Sequence, residues 1–188
     1  FGIMGKLGKA KKEFEKAIKI NPNEVMVVYN IGLLYKINND IDKSIVYLRK
    51  AHGIDGHVFE VELFLGYLLL QNKQKKLALK HLETASRINP NSGLAFRVKG
   101  EIYLGDKLAE KAGKEFNKAI KINPLDAISL SGYAKSLELQ DKNLKIALSF
   151  ANNSIALEPN NKLFKKRLKT IQLKIDGKPV SEETIKTA

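Results

Sequence analysis

The chain has 188 residues, 44% hydrophobic and 28% charged, a balance that fits a globular fold and excludes a disordered or low-complexity chain. It contains no cysteine, which excludes disulfides and thiolate metal sites. Its longest apolar run, Leu63–Leu70, has about eight residues, far short of the ~20 that a membrane-spanning helix needs.

Lys and Arg number 33 against 20 Asp and Glu, a net charge of +13. An excess of this size points to an acidic partner, an anionic membrane surface or nucleic acid. The chain opens on Phe1 with no signal peptide and reads as a piece of a longer protein. Abundant Lys, Asn and Ile hint at an AT-rich genome, and a cytoplasmic or membrane-associated location is favoured.

Self-similarity dominates the text. Ile18-Lys-Ile-Asn-Pro22, Arg87-Ile-Asn-Pro90 and Ile120-Lys-Ile-Asn-Pro124 end alike, Pro159 closes a fourth segment, and Gly56 stands midway between Pro22 and Pro90. The intervals between these breakers are 34, 34, 34 and 35 residues. Twelve positions before each lies a small residue, namely Ala10, Ser44, Ala78, Ala112 and Ala147. Five before lies another small one: Ala17, Ala51, Ala85, Ala119 and Ser154. Eight before, four units are bulky (Phe14, Leu48, Leu82, Phe116) and the last carries Ala151. Gly32, Gly66 and Gly100 stand 24 before their breakers, with Ala134 in the fifth unit offset by an extra residue near Asp141–Asn143.

In chain order the pattern predicts helices at about 8–20, 25–38, 41–53, 58–72, 75–88, 93–105, 108–121, 126–140, 143–157 and 161–175. Each unit is a hairpin of helices A and B. Small residues allow close backbone approach, and proline ends helix B because it lacks an N–H and clashes with the preceding turn. The last helix carries an apolar stripe, Phe164, Leu168, Ile171 and Ile175, and is expected to cap the final hairpin as helix 162–175. Residues 176–188 read as a flexible tail.

The spacing, with Val28-Tyr-Asn-Ile-Gly-Leu-Leu-Tyr35 before Asp42-Lys-Ser-Ile45, and with Ala112, Phe116, Ala119 and Pro124, resembles the tetratricopeptide repeat. The resemblance covers residues 1–161: a partial first repeat 1–24, lacking most of helix A, then repeats 25–58, 59–92, 93–126 and 127–161. It implies an all-α fold, a right-handed superhelical stack of helix-turn-helix hairpins closed by the C-terminal helix. Gly56 in place of proline, the absence of Trp and the insertion in the fifth unit depart from the family pattern.

No motif for catalysis stands out. His52 and His57 straddle a turn and, with His81, read as surface or turn histidines without a metal or catalytic role. The carboxylates Glu60 and Glu62, like Glu182 and Glu183, read as solvated. The expectation is no enzyme, no cofactor, no metal and no small-molecule substrate.

The resemblance also places the A helices along a concave, partner-binding groove. Tyr29, Leu33, Leu63, Tyr67 and Leu70 are expected to offer it an apolar surface, with packing against neighbouring helices as the alternative. Arg97, Glu101 and Lys135 are its expected charged members, the two cations orienting a partner. The carboxylate clamp of chaperone-binding relatives is excluded, because Tyr29, Leu33, Phe64, Leu94 and Val98 fall at its positions.

Residues 162–188 carry a net +5. Lys162, Lys165, Lys166, Arg167 and Lys169 flank the apolar stripe as a solvated face or, alternatively, a basic docking surface. The expected function is a non-catalytic scaffold that binds an apolar or amphipathic, acidic segment of another protein within a multiprotein assembly, such as a bacterial membrane-associated machine for motility, secretion or envelope assembly. A substrate-recruiting domain of a larger enzyme, such as a glycosyltransferase, is the first alternative. Nucleic-acid binding is the second, and is disfavoured because no aromatic platform interleaves with the basic cluster. An anionic membrane surface and self-association remain as further partner readings.

Overall fold

The structure is a computed structural model that describes residues 2–181, without the side chains of residues 2–7, 10, 11 and 15. The expectations for Ala10, for Glu182 and Glu183, and for the tail past residue 181 lie outside the described residues.

Among the described residues there are ten helices and no strand. They are α1 (Gly2–Ile20), α2 (Val25–Ile37), α3 (Ile41–Ile54), α4 (Phe59–Gln71), α5 (Lys75–Ile88), α6 (Gly93–Gly105), α7 (Ala109–Ile122), α8 (Ala127–Leu139), α9 (Leu144–Leu157) and α10 (Lys162–Ile175). Hairpins pair α2 with α3, α4 with α5, α6 with α7 and α8 with α9. The chain divides into two compact units, Phe1–Pro90 and Asn91–Ala188. None of the helices described is long and apolar enough to cross a membrane.

Local chemistry sets the helix ends. Each breaker stands two residues after a B helix and three before the next helix. The A-to-B turns pass through one left-handed residue: Asn39, Lys73 and Lys107 have φ of 60°, 59° and 60°. The N–H of the following residue then reaches back five positions. Asp40 donates to the Tyr35 carbonyl at 2.9 Å, Gln74 to Leu69 at 2.8 Å and Leu108 to Tyr103 at 2.8 Å. This is the Schellman closure, which satisfies carbonyls that a helix end leaves open. The insertion in the fifth unit is absorbed here, because Asp141 and Asn143 both take positive φ, 50° and 53°.

α1 differs from the expectation. The pattern predicts the first B helix from about residue 8, after the end of a partial helix A, yet residues 2–20 form one helix. An unbroken helix bonds internally the backbone groups that a turn before residue 8 would leave to solvent.

The core lies between the helices of each hairpin. A Cβ added at Gly32 would meet Leu48 Cγ at 3.0 Å, one at Gly66 would meet Leu82 Cγ at 2.8 Å, and one at Gly100 would meet Phe116 Cδ1 at 2.9 Å. The small residues opposite, Ser44, Ala78, Ala112 and Ala147, are wholly buried. In the fifth unit the bulky partner is replaced by Ala151, and Ala134 takes the glycine's place in one apolar cluster with Ala147 and Ile171. Filling such a contact should be costly: Ala112→Leu is expected to destabilise the chain by ~1–3 kcal/mol. An unchanged melting midpoint in a thermal scan would show that Ala112 does not sit at the helix contact.

Candidate functional site

In the first unit the expected groove surface is largely internal. Tyr29 on α2 and Leu63 on α4 are only 5% and 7% exposed, so both belong to the core rather than to an open apolar surface. Tyr29 meets Phe64 edge-on, with ring centroids 5.9 Å apart. Leu33 and Leu70 are half-buried, and Tyr67, at 37% exposure, is the most accessible of the five. Burial takes the wide apolar face away and leaves Tyr67 at its rim.

In the second unit the A helices form an actual cleft. α8 contacts both α6 and α10. A cavity of about 290 Å³ opens among them, walled by Leu104, Ile128, Leu163 and Phe164, with Glu101 and Arg167 at its polar side. Phe116 reaches this cavity from α7 beneath Gly132, where an added Cβ would lie 2.4 Å from the ring. The Arg167 guanidinium donates to Ser131 Oγ at 2.8 Å. Burial pushes the Glu101 carboxyl up, opposed by Arg97, and burial pushes the Arg167 guanidinium down, opposed by Glu101.

The two cations expected to orient a partner are held by the protein itself. Arg97 pairs with Asp126 at 3.2 Å and approaches Glu101 at 3.9 Å. Lys135 pairs with Glu138, a carboxylate only 2% exposed that Lys174 also holds at 2.8 Å. Buried carboxylates need such partners, because an unpaired charge out of water is strongly disfavoured. Lys135 therefore keeps the core neutral and is not a free handle.

The basic last helix splits in two. Lys162, Lys165 and Lys166 are exposed and Lys169 is half-buried, but Arg167 turns away from them into the cleft. The stripe buries as Phe164, Ile171 and Leu173, with Leu168 and Ile175 packed alongside. The helix starts three residues after Pro159, as the A helices start after their breakers. It ends through Gly177 at φ 65°, with Lys178 donating to the Leu173 carbonyl at 2.9 Å, the same closure as an A helix. α10 therefore both covers the α8–α9 hairpin and adds a wall to the cleft. Sequence reasoning missed that wall, although the offset from Pro159 was its signal.

A second polar cluster lies in the first unit and overturns two expectations. Glu62 on α4 is 1% exposed rather than solvated. His52 Nδ1 on α3 lies 2.5 Å from one carboxylate oxygen and His81 Nδ1 on α5 lies 2.8 Å from the other. The two imidazoles meet edge-on at 5.0 Å, so they are not isolated turn histidines. His57 alone matches that reading, beside Asp55 and almost fully exposed. Burial works to raise the Glu62 carboxyl, but hydrogen bonds from His81 and His52 outweigh it and hold the group below the usual carboxylate range.

The burial pattern has a measurable consequence. Leu63→Ala should cost ~2–5 kcal/mol of stability, as loss of a core leucine does. Tyr67→Ala should stay within ~0.5 kcal/mol, as a surface change does. Equal losses in a denaturant titration would place both residues in the same environment and contradict the structure.

The tetratricopeptide repeat signature matches residues 2–24, 27–57, 63–92 and 98–124, more than half the chain. The anaphase-promoting complex subunit CDC16 of Saccharomyces cerevisiae is 24% identical over 146 residues, covering 74% of this chain and 17% of that protein. The chain spans about a fifth of the length of the curated relatives it matches. Among solved structures, Pseudomonas aeruginosa pilF aligns with a TM-score of 0.80 at 18% identity, over 98% of this chain and 82% of its own. YrrB, described as a tetratricopeptide repeat protein with an unusual peptide-binding site, aligns at 0.76 and 18% identity, over 92% and 86%. At these identities the structural likeness shows the fold alone. With the breaker spacing, the hairpins and the matched segments agreeing, the chain belongs to the tetratricopeptide repeat family.

Proposed function

We propose that this chain is a non-catalytic interaction scaffold, and that it takes a segment of a partner protein along α6, α8 and α10 of the second unit. The observation that carries the reading is the cleft itself. Its walls are apolar, its volume of about 290 Å³ suits one or two bulky side chains, and a half-buried guanidinium borders it. Apolar side chains filling such a pocket supply most of the affinity, as a few central anchors commonly do. Arg167 supplies orientation, because its planar fork matches a carboxylate or a main-chain carbonyl on the incoming segment. The partner is thus an amphipathic or extended segment bearing a large apolar residue next to an acid.

Two relatives support a binding role of this general kind. YrrB is described as having a peptide-binding site, and CDC16 is a subunit of a multiprotein complex. A membrane-associated machine rests on composition and on the reading of the chain as a piece of a longer protein, and is not carried into this proposal.

Peptides selected from a random display library against the whole chain should test the reading. They are expected to share a bulky apolar residue beside an acidic one, and to shift the NMR signals of Leu104, Ile128 and Phe164. Ile128→Glu should weaken them at least ~10-fold, since burying an unpaired carboxylate in the pocket is costly. Arg167→Ala should weaken them less and remove the acidic preference. Selected peptides that ignore both substitutions would place the binding surface elsewhere.

A further inference from the structure

We propose that His52, Glu62 and His81 form a binding site for a divalent metal ion of the zinc class. The three side chains come from α3, α4 and α5. Their ligating atoms all lie within 4.8 Å of one another.

The repeat supplies its own control for this position. Six residues after the breaker, the other units place Val28, Phe96 and Leu130, all apolar, where this unit places Glu62. The carboxylate is as buried as Val28 and Leu130, at 1% exposure. Among the described residues its ion-pair partners are the two imidazoles, with no Lys or Arg. Unlike a lysine or arginine, an imidazole does not bring a permanent charge, and a divalent cation shared by all three groups would supply one.

The remaining departure of the repeat fits the same site. Gly56 is the one breaker that is not proline, and a Cβ there would lie 3.2 Å from His52 Cε1 and 3.4 Å from Nδ1. The glycine leaves space that the His52 ring occupies on its way to Glu62. His52 is also the open side of the cluster: its side chain is 43% exposed against 12% for His81.

Two imidazoles and a carboxylate are the ligand set of open zinc sites, in which water or a further group takes the fourth position. Imidazole nitrogen favours zinc and its transition-metal neighbours over magnesium or calcium. Around a tetrahedral ion with ~2.0–2.1 Å bonds the ligands stand ~3.3 Å apart, so the rings step back from the carboxylate as the ion replaces the shared protons. The half-exposed His52 ring has room for that step.

The test uses the untagged, metal-stripped chain and Zn²⁺ alone, followed by calorimetric titration and by thermal scans. One ion per chain is expected, with a rise in melting midpoint that grows with Zn²⁺ concentration. Co²⁺ in its place should give the visible absorption of a four-coordinate site. His57→Ala should bind as the parent does. Glu62→Gln and His81→Ala should each weaken binding by more than ~100-fold, beyond the ~10–100-fold that losing an outer-shell partner costs. If either fails to fold, His52→Ala, checked for helix content by circular dichroism, carries the same expectation. A parent chain that takes up no Zn²⁺, or binding lost in His57→Ala and kept in His52→Ala and His81→Ala, would overturn the assignment.

Discussion

The structure depends on how closely helix A approaches helix B within each hairpin. Glycine on A lets a leucine or phenylalanine of B rest against its backbone, at distances where an added Cβ would clash. The Ser44 hydroxyl tightens one such contact by donating to the Gly32 carbonyl at 2.7 Å. Close packing of this kind leaves little slack, so helix spacing is set by side-chain volume. The fifth hairpin reaches the same end by a different distribution of volume. Ala134 clusters with Ala147 and Ala151, and Tyr133 and Phe150, meeting edge-on at 4.9 Å, pack against that cluster. Once spacing and turns are set, side chains far apart in sequence arrive together at defined places. The cleft of the second unit and the Glu62 cluster of the first are both products of that constraint.

Features that repeat along the chain were readable because they are local. The breaker, the small residue twelve positions before it and the glycine before that are short-range requirements of one hairpin, and periodicity exposes them. Burial of groove residues was not readable in the same way. Tyr29 and Leu63 were expected in the groove, but both are buried, with Phe64 edge-on against Tyr29. Lys135 and Glu138 stand one helical turn apart, so their pairing was visible in the spacing, whereas the burial of Glu138 that makes the pairing obligatory was not. Arg97 and Asp126 are 29 residues apart and meet only through the hairpin geometry.

The last helix shows how charge can mask a repeat. Its apolar stripe predicts a cap, and its seven basic residues between 162 and 178 read as the solvated face of that cap. Its boundaries follow the A-helix rule, and its side chains obey that placement. Asn161 caps the start, accepting from the N–H groups of Leu163 and Phe164 at 3.1 and 3.3 Å. Phe164 and Arg167 turn toward α8, Lys174 turns in to Glu138, and Lys162, Lys165 and Lys166 stay outward. A helical face mixing cations and apolar residues thus separates into two surfaces with different chemistry: a solvated lysine face and one arginine inside a cleft.

A repeat protein offers a comparison that a single-copy fold does not, because equivalent positions show what the scaffold alone requires. Glu62 and Lys99 each break the apolar pattern of an A helix with buried charge, and the chain resolves the two differently. In the second unit Lys99, where the other repeats carry Ile31, Leu65 and Tyr133, meets Glu115 at 3.1 Å across the hairpin, and Lys118 reaches the same carboxylate. An ammonium group closes that site: it brings a permanent charge and has no lone pair to offer while protonated. In the first unit the same need is met by two imidazoles, whose nitrogens can give up a proton and ligate a cation. A purely structural demand for neutrality would be met equally well by lysine, as the second unit demonstrates. The use of histidine twice around one buried carboxylate, with glycine clearing the approach, therefore distinguishes a site that can exchange its positive charge from one that only carries it.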